Sequence, residues 1–147
     1  MKLGIKHLAP YLPYELKVNL TRRLFERENV DLMGSMIAYN GTTKEHWIME
    51  SNVTYGLFDV KPILRPLSYL TKEIEHNGEK FVPIEWFEEK YYTLDLHKQC
   101  LRLLEEDGEN WINQSDYMLV QHLIEWHFDI FGLIENKLAI DINTITK

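Results

Sequence analysis

The chain has 147 residues, enough for one domain with a sizeable core, and its 45% apolar and 27% charged residues are ordinary for a folded globular protein. Four Trp, eight Tyr and six Phe argue against disorder, and a net charge of −7 argues against nucleic acid as the main partner, because phosphate contacts need clustered cations. Cys100 is the single cysteine, which excludes an intramolecular disulfide.

From the N-terminus, Lys2 and Lys6 are followed by Pro10, Pro13 and Glu15, which interrupt any apolar run. No secretion signal and no membrane-length segment is visible, so a cytoplasmic location is expected. The Asn-x-Ser/Thr sites at Asn19, Asn52 and Asn113 then read as chance. Residues Leu8 to Tyr14 are expected to be extended or irregular because of their prolines.

Glu15 to Leu24 alternates, with Leu16, Val18 and Leu20 on one side and Lys17, Asn19 and Thr21 on the other, which predicts a half-buried strand. Asp31 to Tyr39 is a second strand, Asn40-Gly41 a hairpin turn, Lys44 to Glu50 the returning strand and Thr54 to Val60 a fourth. Together they predict an antiparallel meander. Pro62 and Pro66 are expected to end it, since proline donates no ladder hydrogen bond.

Ser68 is a candidate cap for a short helix through Glu75, and Asn77-Gly78 closes that helix or turns the chain. Phe81 to Ile84 reads as a short extended piece, and Glu85 to Tyr92 as one or two helical turns. Asp95 to Glu106 reads as a helix with Leu96, Cys100, Leu103 and Leu104 on one face, stopped by Asp107-Gly108. Ser115 to Phe131 predicts one long, mostly apolar helix, capped by Ser115 or Asn113, with Leu119, Leu123, Trp126 and Ile130 buried. Strands first and helices afterwards predict a single α+β domain spanning 1–147, β-rich over 1–66 and helix-rich over 67–147, with the meander packed by the C-terminal helices.

Charge follows the same division. Residues 1–66 hold 9 Lys/Arg against 7 Asp/Glu, a balance of +2, whereas residues 67–147 hold 7 against 16, a balance of −9. An acidic half suits a basic partner, and equally serves solubility.

Within that half, Glu85, Trp86, Glu88, Glu89, Tyr91 and Tyr92 combine carboxylates with aromatic anchors, with Phe87 between them, a composition suited to an interaction surface or to a cover over the core. On the last helix, His122, Glu125 and Asp129 fall on one stripe at 100° per residue, and a His with two carboxylates can move a proton or bind a metal. The same stripe also serves as the face a helix turns to water. His127 lies about 140° from His122, too far round to share a site. His97 and Cys100 are three apart but lack a second ligand pair, so no structural metal and no cofactor is expected. Arg22, Arg23 and Arg27 form the one basic cluster, and Tyr39, Trp47 and Tyr55 are candidate stacking faces for single-stranded nucleic acid. Glu15, Glu26 and Glu28 among those arginines fit a salted sheet edge better.

Three stretches carry a resemblance: Lys61 to Ile74, Glu125 to Ile134 with Leu138 to Asn143, and Tyr11-Leu-Pro-Tyr14. They resemble a set of small uncharacterised proteins from phage and mobile-element regions of gut Bacteroidetes. The resemblance implies a genomic context and transfers no catalytic residue; residues 22–58 do not take part in it. The combined expectation is an accessory protein that binds another macromolecule, a protein, basic or otherwise, rather than nucleic acid, without catalysis. Self-association is compatible with the sequence. The alternatives are a small enzyme built on the His122 stripe and a weak nucleic-acid binder using the N-terminal strands.

Overall fold

The computed structural model describes residues 1–22, 25–31, 36–50, 53–105 and 111–145. Arg23, the side chains of Arg22, Arg27 and Asn113, the Asn52 turn and the Asp107-Gly108 helix stop lie outside the described residues. The chain is α+β and forms two compact units, Met1–Leu64 with Leu133–Lys147, and Arg65–Gly132. Among the described residues no helix is long and apolar enough to cross a membrane.

The first unit opens on helix rather than on the expected irregular segment. One turn, α1 (Ile5–Leu8), runs into a 3-10 helix, Ala9–Tyr14. Pro10 is accommodated because it sits in the first turn, where an N–H has no intrahelical partner to lose, and Pro13 lies inside the segment near its end. The Gly4 amide donates to His7 Nδ1 at 2.9 Å, which caps α1 from within its own turn.

Two antiparallel groups of strands follow in place of one continuous meander. β1 (Lys17–Arg22) pairs with β2 (Phe25–Asp31), with a register shift between Val18 and Leu20. β3 (Met36–Asn40), β4 (Glu45–Glu50) and β5 (Val53–Gly56) form a separate three-stranded sheet. The β3–β4 turn is made by the Asn40 side chain, whose Oδ1 accepts from the Thr42 and Thr43 amides at 2.9 and 3.1 Å. Lys44, at φ 58°, takes the left-handed position in this turn.

The expected strand from Thr54 to Val60 is broken by a 3-10 turn, Leu57–Asp59. The chain then re-enters the first sheet as β6 (Val60–Leu64), which pairs antiparallel with β1 and parallel with β9 (Ile140–Asp141), giving the order β2-β1-β6-β9. This overturns the reading of Pro62 as a strand terminator: it sits in register with Val18. β9 pairs only with Ile63 and Leu64, so at Pro62 the strand has a partner on one side, the edge condition under which proline is accommodated. Asn19 is buried, not solvated, since β1 is an interior strand. Leu16, Val18, Leu20, Ile48, Tyr55 and Leu64 are fully buried or nearly so.

In the second unit Ser68 lies in a 3-10 segment, Leu67–Thr71, and the expected helix through Glu75 is replaced by a hairpin, β7 (Ile74–His76) and β8 (Glu79–Phe81). Asn77 and Gly78, at φ 52° and 83°, supply the two left-handed residues that a tight hairpin turn requires, and this local chemistry outweighs the helix cap. α2 (Pro83–Lys90) begins on a proline, which is preorganised for a first helical position. α3 (Leu96–Leu103) buries Leu96, Cys100 and Leu103, while Leu104 is exposed beyond its end.

The last helix, α4 (Tyr117–Glu125), is nine residues rather than the expected run from Ser115 to Phe131. It stops because His127 adopts φ 62°, so that the His127 amide donates to the Ile124 carbonyl at 3.0 Å and the Phe128 amide to Leu123 at 2.8 Å. This is the paired hydrogen-bond pattern of a Schellman ending, here with histidine where glycine is usual. The burial reading holds: Leu119 and Leu123 are fully buried, and Trp126 and Ile130 nearly so. Asp116 rather than Ser115 or Asn113 precedes the helix, and its carboxylate accepts from Gln99 Nε2 at 2.7 Å, tying α4 to α3.

Candidate functional site

α2 presents Glu85, Glu88 and Glu89 to water. At 100° per residue the three carboxylates share an arc of about 100°. Past Tyr91, which caps the end of α2, Tyr92 is 73% exposed. The other rings of this segment turn inward. Phe87 is fully buried, and Trp86 and Tyr91 are half-buried against His122 of α4. Trp86 meets Trp126 edge-on at 5.0 Å, and Phe81 packs on Trp126 at 4.9 Å. The segment therefore divides its aromatics, with three joining the core and one facing solvent.

His122 lies at the centre of that ring cluster, stacked on Trp126 at 5.3 Å and edge-on to Trp86 at 4.8 Å. Its Nε2 lies 3.3 Å from the Tyr91 hydroxyl and its Nδ1 lies 3.4 Å from Glu125 Oε2, the latter an ion-pair distance without the alignment of a hydrogen bond. Burial lowers the His122 pKa, and Glu125 opposes this by favouring the imidazolium. The result is a phenol–imidazole hydrogen bond, across which a proton can move, with a carboxylate beside the other ring nitrogen that favours the imidazolium. Tyr91 is the member that sequence reading missed in this role, because its link to His122 is made across two helices.

Asp129 does not belong to this group. With α4 ended at Glu125, Asp129 lies past the left-handed turn, buried, with its amide donating to the Arg65 carbonyl at 2.8 Å. The helical stripe that joined it to His122 has no helix at that point. His97 and Cys100 are likewise not a ligand pair for an ion: Cys100 is fully buried, and burial pushes its thiol up to about 12. Among the described residues no three of His, Cys, Asp and Glu gather as a metal site requires.

The N-terminal stacking platform is also dispersed. Tyr55 is buried. Tyr39 is opposite His46 in the β3–β4 register, whereas Trp47 is opposite Ala38, so the two rings occupy opposite faces of the sheet. Tyr39 is spent on His46, at 4.9 Å between ring centres.

No family model, curated protein or solved structure matches this chain.

Proposed function

We propose that this protein acts by binding another macromolecule, as a phage or mobile-element accessory protein in the host cytoplasm, through the acidic outer face of α2 and Tyr92. The observation that carries the reading is three solvated carboxylates on α2 and, past the exposed Lys90 and the half-buried Tyr91, the exposed ring of Tyr92. A half-charged, half-aromatic surface steers a basic partner at long range and supplies contact area on arrival. Further apolar side chains of the same unit also stand in water, among them Leu101 and Tyr117.

The test uses substitutions at exposed positions, because Trp86 is part of the packed cluster and its removal would confound folding with binding. The wild-type chain and the triple variant Glu88→Lys, Glu89→Lys, Tyr92→Ala are each used to capture partners from cells carrying the element. Capture of a basic protein that weakens with rising salt and is lost in the folded variant supports the reading. Equal capture by both, or none by either, removes it.

A second reading has the Tyr91–His122–Glu125 group behind it: proton-transfer chemistry with His122 as base, hydrogen-bonded to Tyr91 and with the Glu125 carboxylate favouring its charged form. Hydrolysis of an activated ester such as p-nitrophenyl acetate that vanishes in His122→Ala, with the fold intact, would favour it.

A further inference from the structure

The three-stranded sheet and the N-terminal turn enclose a cavity of about 400 Å³, within the range of small-molecule sites. Its construction begins with Gly56, which lies directly opposite Trp47 in the β4–β5 register. Opposed residues share a face, so a glycine here leaves bare backbone beside the indole. The Phe58 ring occupies that space: a Cβ on Gly56 would come within 2.7 Å of its Cε1. Phe58 is nonetheless 84% exposed, so one face of the ring is seated on the backbone while the rest meets water. Among the described residues neither Trp47 nor Phe58 contacts another ring. Two aromatic surfaces thus line one cavity without aromatic partners.

The polar lining sets the charge of the occupant. Lys2 and Lys44 contribute two cations, Glu45 and Asp59 two carboxylates, and His46 also lines the cavity. None of the four charged groups is held in an ion pair among the described residues. Ammonium donors and carboxylate acceptors in equal number match a ring with a polar edge and no net charge, and they give a net anion no overall attraction. We propose that this cavity binds a small, planar, uncharged heteroaromatic molecule, stacked between Trp47 and Phe58. This site is independent of the α2 surface.

The experiment follows the Trp47 indole N–H by NMR in the full chain, with Trp47→Phe to assign it. Indole and adenosine are the planar uncharged probes, cyclohexanol the non-planar control and naphthalene-2-sulfonate the anionic one. The expected result is a shift of the Trp47 signal by indole or adenosine, with a dissociation constant of about 1 mM or tighter and weaker binding of both controls. Phe58→Ala removes an exposed side chain and should leave the fold intact while weakening binding about tenfold, as loss of a stacking face does. Gly56→Ala, at an ordinary extended φ of −74°, should displace the Phe58 ring and weaken binding without backbone strain. A Trp47 signal unmoved by either planar probe overturns the proposal. So does equal or tighter binding of a control, or an affinity unchanged in Phe58→Ala.

Discussion

The Arg65 guanidinium donates through Nε to the Trp126 carbonyl oxygen at 3.0 Å, at the point where α4 ends. Its other arm donates to the Glu75 carbonyl of β7 at 2.6 Å, so one buried cation joins a helix terminus to a hairpin. A cation is favoured at a helix C-terminus, where unpaired carbonyls concentrate partial negative charge. The Arg65 backbone completes the link, since its amide donates to His127 and its carbonyl accepts from Asp129.

Replacing Arg65 with Ala should therefore destabilise the protein by about 3 kcal/mol, because two carbonyls lose a charged donor. Arg65→Lys should recover only part of this, since a single ammonium lacks the fork that reaches both acceptors. Urea denaturation of the three proteins measures it. A loss below about 1 kcal/mol in Arg65→Ala would show that water replaces the guanidinium without cost.

His76 packs edge-on against His127 at 5.4 Å between ring centres. Burial first, and then His127 and Arg65, depress its pKa from 6.5 to about 4. Between those values the unfolded chain takes up a proton that the folded chain refuses. The stability contribution of this group is therefore complete above pH 6.5 and declines as pH falls toward 4. Urea midpoints between pH 7 and pH 5 should fall more steeply for the wild type than for His76→Gln. Parallel profiles would show that His76 is not the group responsible.

Leu123→Ala should cost roughly 2–5 kcal/mol, because Leu123 is fully buried and its carbonyl also closes the end of α4. Tyr92→Ala, at an exposed position, should change stability by less than about 0.5 kcal/mol. Thermal or urea melts separate the two. A large loss in Tyr92→Ala would mean that this ring packs against the protein and is not available to a partner.

Cys100 should resist thiol reagents in the folded protein, since its pKa of about 12 leaves almost no thiolate at neutral pH and the sulfur is buried. Labelling by 5,5′-dithiobis(2-nitrobenzoate) should be slow in buffer and fast in urea. Rapid labelling in buffer would place the thiol at the surface.

Periodicity and turn chemistry made much of the fold legible. The buried series through Leu119, Leu123 and Trp126 follows helical spacing, and the β3–β4 hairpin turns just after Asn40 as the sequence suggests, although its left-handed residue is Lys44 and not Asn40 or Gly41. Other features were decided by contacts between distant residues. Pro62 is a strand residue because β1 pairs with it on one side while β9 reaches only Ile63 and Leu64 on the other, and α4 stops at Glu125 because the chain turns left-handed at His127 and pairs with Arg65. The candidate sites depended on the same distinction. The acidic face of α2 follows from helical geometry, but the apposition of Tyr91 to His122 and the seating of Phe58 on Gly56 opposite Trp47 do not. Helical spacing and turn preference act over a few residues, whereas strand register, ring packing and the distance between a phenol and an imidazole exist only once remote segments meet.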